Sequence, residues 1–132
     1  MEVGSVKELS RFRYEKAMSN LQLAHSLYND GQYAFALNRA YYALFDGMRA
    51  VNALDGFDSS KHSGVISHFN MTYVKTAQFP ATTSTVIKQA SRLREKSDYE
   101  DFYVPDKEET AETIANVENF LCNVKAFLCM RL

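Results

Sequence analysis

The sequence predicts an all-α protein, an antiparallel up-and-down bundle of four to five helices, and three observations carry that expectation. Helix breakers are scarce, with five Gly and two Pro in 132 residues. Apolar residues recur at three- and four-residue steps through long segments, the spacing of one face of an α-helix. No segment alternates polar and apolar residues long enough to propose a strand.

The first helix is expected from about Val6 to Asn29. Ser5 followed by Glu8 has capping-box spacing, which would satisfy free amide donors at a helix start and leave residues 1–5 as a flexible tail. Tyr14, Ala17, Leu21, Ala24 and Tyr28 trace one apolar face, and Gly31 suits the left-handed position after the last turn.

The second helix is expected from about Gln32 to Leu54. Leu37, Tyr41, Leu44, Met48 and Val51 form its stripe, widened by Ala34, Phe35, Tyr42 and Phe45. A stripe this wide belongs to a helix contacted on several sides, so this one should be central. After a polar loop, a third helix should run from about Lys61 to Thr76, with Val65, Ile66, Phe69 and Tyr73 inward. A fourth should start in the Thr82-Thr83-Ser84 cluster and end near Ser97, burying Val86, Ala90 and Leu93. The last should open at Asp106, after Pro105, with Glu109 completing a second capping box. Ile114, Val117, Leu121, Val124 and Leu128 are its buried face.

The length fits one domain spanning residues 1–132, and 46% apolar with 23% charged residues is enough for a real core. A net charge of −1 supplies no global field towards nucleic acid or anionic lipid, so any nucleic-acid contact needs a local basic patch. Cys122 and Cys129 stand seven residues apart, about 10 Å along a helix and too far for a disulfide. Buried free thiols in a reducing cytoplasm are expected. With no leader pattern and no apolar run of spanning length, the chain reads as cytoplasmic, without membrane contact.

No Gly-rich phosphate loop, paired CxxC, HExxH or EF-hand loop occurs. His62 and His68 are six residues apart, a spacing that does not share a helical face, and no carboxylate or thiol completes a ligand set with them or with His25. Neither a metal nor a cofactor is expected.

Two stretches carry polar chemistry. In NRAYYALFDGMRA, Arg39 and Tyr42 share a side, with Asp46 two turns from Arg39. Asn38, Tyr42, Phe45 and Arg49 trace an overlapping strip. Such groups serve equally as rim ion pairs with core tyrosines. In RLREKSDYEDF, Arg92, Arg94 and Lys96 precede Asp98 and Tyr99. Arginines beside tyrosine hydroxyls can read phosphate, since the guanidinium is a fork of donors. Basic residues in a last helical turn equally offset the helix dipole.

Together, ALNRAYYALFDGMRA (36–50), KHSGVISHFNMTYVKTAQF (61–79) and RLREKSDYEDF (92–102) resemble the HEPN family of small helical domains. The resemblance covers residues 10 to 128 and rests on three stretches agreeing in order and spacing. It implies a four- or five-helix bundle that commonly dimerises. Many members are metal-independent RNases, often toxins paired with a small nucleotidyltransferase antitoxin. Their signature is an Arg with a His about five to seven positions later, and two such motifs meet across the dimer. Here Arg92, Ser97 and Tyr99 take the matching places, with serine where the histidine would stand. Serine does not shuttle protons near neutral pH as imidazole does.

The resemblance therefore implies a homodimeric binding module for nucleotide or RNA phosphate, for a minimal nucleotidyltransferase partner, or for both. Arg39, Tyr42, Arg92, Arg94, Asp98 and Tyr99 would form its surface, joined by His62 should the fold bring it near. Two alternatives stay open. One is a divergent toxin RNase using Arg94 with Asp98 or His62, and a related reading implied by the resemblance is that Tyr99 accepts a nucleotidyl group from a partner enzyme. The other is a structural dimerisation domain in which these charges only hold helix ends.

Overall fold

Gly31 and Gly56, at φ of 77° and 79°, take the left-handed backbone that lets one helix stop and the chain turn back. Between and beyond these turns the computed structural model describes residues 3–132, with side chains from residue 5 onward. It contains five α-helices: α1 (Val3–Asn29), α2 (Tyr33–Ala53), α3 (His62–Phe69), α4 (Thr82–Tyr99) and α5 (Lys107–Cys129). A π-helical turn, Asn70–Val74, continues α3. No strand occurs among the described residues, and the all-α bundle expected from the periodicity is the fold observed.

α2 is the central helix: α1, α3, α4 and α5 all pack against it. The apolar stripes read from the sequence are the ones that turn inward. Ala17, Leu21 and Ala24 of α1, Leu37, Tyr41, Leu44, Met48 and Val51 of α2, and Ile114, Val117, Leu121, Val124 and Leu128 of α5 are all buried. α1 lies close enough to α2 for the buried Ser10 hydroxyl to donate to the Ala50 carbonyl at 2.7 Å. α5 approaches as closely, because Gly47 offers no side chain where Leu121 and Phe120 lie. Phe69, Phe79, Phe120 and Phe127 fill the α3–α5 end, with ring centroids 5.1–5.8 Å apart.

The π turn adds one residue to the helical circuit, so the Lys75 amide bonds to the Asn70 carbonyl at 2.9 Å. It carries the buried Tyr73, whose hydroxyl donates to Asp55 Oδ2 at 2.7 Å. The same carboxylate meets His68 Nε2 at 2.9 Å, while the Phe57 ring stacks on His68 at 3.8 Å. This knot closes the loop between α2 and α3.

Four expectations need correction. α1 begins at Val3, so Ser5 and Glu8 lie inside the helix and form no capping box; the part of the expected tail at residues 1–2 lies outside the described residues. The second capping box is half formed. Asp106 caps α5 through the Glu108 amide at 3.0 Å, but Glu109 accepts from the Tyr103 hydroxyl instead of reaching back. Phe35 points to solvent, since it sits in the first turn of α2 beyond the reach of its neighbours. Cys122 and Cys129 are free but exposed, each one residue, or about 100°, past the buried Leu121 and Leu128. With both thiols exposed, the expected burial gives no ground for a reducing compartment. No helix among the described residues is long and apolar enough to cross a membrane.

Candidate functional site

Successive residues on a helix point about 100° apart, and this splits the tyrosine pair of α2 between core and rim. Tyr41 is buried and Tyr42 half-buried, with their rings edge to face at 5.3 Å. From α4, the Arg94 guanidinium lies over the Tyr41 ring, 4.5 Å from its centroid, and 5.9 Å from that of Tyr42. A cation held on an aromatic face away from water is stabilised by about 2 kcal/mol or more. The Arg94 side chain is only 12% exposed, so this contact is well shielded.

Arg94 is not fully satisfied. Nη1 donates to Asp98 Oδ2 at 3.3 Å, a long contact one helical turn away. Its Nε is buried and has no partner, and neither does the buried hydroxyl of Ser97, three residues on along the same face of α4. An unpaired buried donor costs about 1–3 kcal/mol, so this end of α4 holds hydrogen-bonding capacity that no neighbouring side chain uses.

His62, at the start of α3, closes the cluster. Its Nδ1 meets the Tyr41 hydroxyl at 3.2 Å, and its ring packs 4.3 Å from Phe45 and 5.8 Å from Tyr42. Burial, then the charges of Arg94 and Arg49, push the imidazole pKa below its ordinary 6.5, so at pH 7 the ring is neutral. Burial raises the Tyr41 hydroxyl pKa, with Arg94 pulling the other way, so it stays protonated and can donate to His62.

Arg39 borders this group, with its guanidinium 5.1 Å from the Tyr42 centroid. Its Nε and Nη2 donate to Asn38 Oδ1 at 3.0 and 2.7 Å, and Nη1 donates to Asn20 Oδ1 at 3.2 Å. Asn20 in turn donates to Asp46 at 3.0 Å, so the two-turn spacing of Arg39 and Asp46 is bridged through α1. Burial raises the Asp46 carboxyl, opposed by Lys16 and by that hydrogen bond. Asn38 also reaches Asp98, at 3.5 Å, tying α2 to the end of α4.

Of the residues singled out in the sequence, the fold thus brings Arg39, Tyr42, Arg94, Asp98 and His62 together. Arg92 and Tyr99 stand apart. Arg92 is two residues from Arg94, on the opposite side of α4, where its charge opposes the burial that raises the Tyr103 hydroxyl pKa. Tyr99, in the last residue of α4, is 76% exposed. Sequence reasoning placed Tyr41 only in the core stripe and gave Asn20 and Ser91 no role. Ser91 lies near enough to the Tyr41 hydroxyl to oppose slightly the burial that raises its pKa, and its position one turn before Arg94–Glu95 was the available signal. Among the described residues no three His, Cys, Asp or Glu side chains gather as a metal would need.

Chemically, the cluster offers a shielded guanidinium with a free donor, a neutral imidazole and a phenol hydroxyl within one patch. That set can hold an anionic oxygen and exchange a proton beside it.

Comparison with known proteins shows the family. The family model described as the HEPN domain matches residues 10–127. Two proteins of Methanocaldococcus jannaschii that bear the name "Putative toxin" are each 30% identical. One aligns over 97% of this chain and 86% of its own length, the other over 93% and 91%. A "UPF0332 protein" of Thermotoga maritima is 34% identical over 65% of each chain.

Proposed function

The chain belongs to the HEPN family, and from that premise we propose that it is a toxin-class binding module that grips a phosphate of a nucleotide or RNA with Arg94. The observation that carries this reading is the Arg94 Nε, buried, unpartnered and part of a guanidinium fixed on the Tyr41 ring. A structural arginine of this burial is normally saturated with acceptors, because each idle donor is a net cost. Arg94 keeps one long ion pair, which a phosphate with its greater charge displaces.

The module acts in the cytoplasm as a homodimer whose two Arg94 patches face one ligand region, with a nucleotidyltransferase as protein partner. The name borne by the two archaeal relatives supports the toxin class, and the homodimer and nucleotidyltransferase partner are what the resemblance to the family implies. The test is titration of AMP into wild-type and Arg94→Ala protein. Losing a charge-assisted hydrogen bond of about 1.5–3 kcal/mol weakens binding about 10- to 150-fold. Unchanged affinity, with the helical circular dichroism intact, removes Arg94 from the site.

One observation favours a second reading, metal-independent RNA cleavage. His62 meets the hydroxyl of the same Tyr41 on whose ring Arg94 lies, and its lowered pKa leaves it neutral and able to accept a proton at pH 7. Cleavage of varied RNAs in the presence of EDTA, lost in both Arg94→Ala and His62→Ala, supports it. Binding without any cleavage leaves the module a binder.

A further inference from the structure

We propose that Arg13 and Arg49 form a second phosphate subsite beyond His62, for another phosphate of the same strand, and that the Asp58 carboxylate occupies it in the free protein. This deepens the phosphate reading of Arg94 and rests on it.

Two guanidiniums from different helices converge on one carboxylate. Arg13 of α1 reaches Asp58 Oδ2 with Nη2 at 3.0 Å, and Arg49 of α2 reaches Oδ1 with Nη2 at 3.2 Å. Arg13 is buried and anchored by a further bond from Nη1 to the Arg49 carbonyl, at 3.4 Å. Arg49 Nε is buried without a partner. The cradle is therefore built into the helices, while its occupant is not: Asp58 lies on the α2–α3 loop with its side chain 53% exposed. Two helix-borne guanidiniums thus face one exposed loop carboxylate, while the buried Asp46 carboxylate, held above its ordinary pKa by burial, also feels both arginines. A carboxylate and a phosphate present the same two-oxygen edge to guanidinium forks, and phosphate offers more oxygens for the idle Nε.

The placement relative to Arg94 sets the ligand. Arg94 covers the turn of α2 holding Tyr41, the His62 ring covers Phe45 one turn on, and Arg49 follows at the next turn. Tyr41 to Arg49 is eight residues of one helix, about 12 Å. His62 touches Tyr41 and Phe45, the turns of α2 that lead from Arg94 towards Arg49, and the charges of both arginines bear on it. A single phosphate does not span this distance. A strand rising about 3.4 Å per nucleotide does so in three to four nucleotides. Asp58 itself is held in the ionised form: burial pushes its pKa up, but the Ser59 amide and both arginines outweigh it and bring it below the usual carboxylate value.

The experiment compares two probes, AMP and a 5′-phosphorylated 2′-O-methyl tetra-adenylate, whose blocked 2′ positions prevent cleavage. In Arg49→Gln the tetranucleotide should bind about tenfold more weakly, the size of one lost charge-assisted contact, with AMP affinity unchanged. In Asp58→Asn, with the competitor neutralised, the tetranucleotide should bind several-fold more tightly and AMP as before. Arg49→Gln without effect on the tetranucleotide overturns the second subsite while Arg94→Ala, weakening both probes, leaves the first standing. Weaker tetranucleotide binding in a folded Asp58→Asn protein also overturns it, because the carboxylate would then support the arginines instead of competing. Should either variant fail to fold, the wild-type protein decides: tetranucleotide affinity must fall more steeply with salt than AMP affinity, and equal slopes overturn the proposal. If Arg94→Ala changes neither probe, it is the underlying phosphate reading that fails.

Discussion

Gly47 is where α2, the helix that carries Tyr41, Tyr42 and Arg49, rests on α5, and replacing it with alanine sets two known effects against each other. Alanine inside a helix is favoured over glycine by about 1 kcal/mol. Against that, a methyl at Gly47 would lie 2.6 Å from Leu121 Cδ2 and 3.0 Å from Phe120 Cε2. Carbon atoms in contact settle about 3.5–4.0 Å apart, so Phe120 must retreat by roughly 0.5–1 Å and Leu121 by roughly 1–1.4 Å. Neither has room: both are buried, and the Phe120 ring is wedged between Phe69 at 5.7 Å and Phe79 at 5.8 Å. Overpacking of this kind costs about 1–3 kcal/mol, so the net expectation is a loss near 1 kcal/mol. For a chain of this size that lowers Tm by about 3–5 °C, read by thermal circular dichroism. The clash is with Leu121 in particular, so Leu121→Ala should cost less in the Gly47→Ala background than in the wild type. A rise in Tm, or strict additivity of the two substitutions, would refute the close α2–α5 crossing.

Two further outcomes are expected. Asp106→Ala removes the side-chain acceptor of the Glu108 amide and should lower stability by about 1 kcal/mol in urea unfolding, with an unchanged midpoint counting against the cap. His62 has a folded pKa below its ordinary 6.5, so protonation favours the unfolded chain, and stability should fall as pH drops through about 6.5. His62→Gln should flatten that part of the curve between pH 7.5 and 5.5, and an equal loss in both proteins would show that His62 does not contribute to it.

Much of the bundle was legible because helical periodicity is a local property. The inward faces of α1, α2 and α5 follow from three- and four-residue steps, and Gly31 and Gly56 end helices as their lack of a Cβ suggests. What escaped depends on partners remote in sequence. Cys122 and Cys129 are apolar enough for a core, yet α1 and α2 cover only the stripe one residue before each of them. Gly47 weakens its helix locally, and only the approach of α5, remote in sequence, requires its missing side chain. The same holds for the site. Arg94 and Asp98 are one turn apart and could be paired on paper, whereas His62 joins them only because Tyr41, on a third helix, touches both Arg94 and the imidazole. Arg92 and Tyr99 share the charged stretch but not the face of Arg94, since at about 100° per residue Arg92 lies roughly 160° and Tyr99 roughly 140° away from it around the helix.

The phosphate reading is tested most directly at the atom on which it rests, by following the Arg94 Nε–Hε resonance in nitrogen–proton NMR while AMP is added. The Nε is without a partner in the free protein, so binding should move this signal in a saturable way and slow its exchange with water. If AMP binds and other signals shift while that of Arg94 Nε–Hε stays where it is, Arg94 does not hold the phosphate.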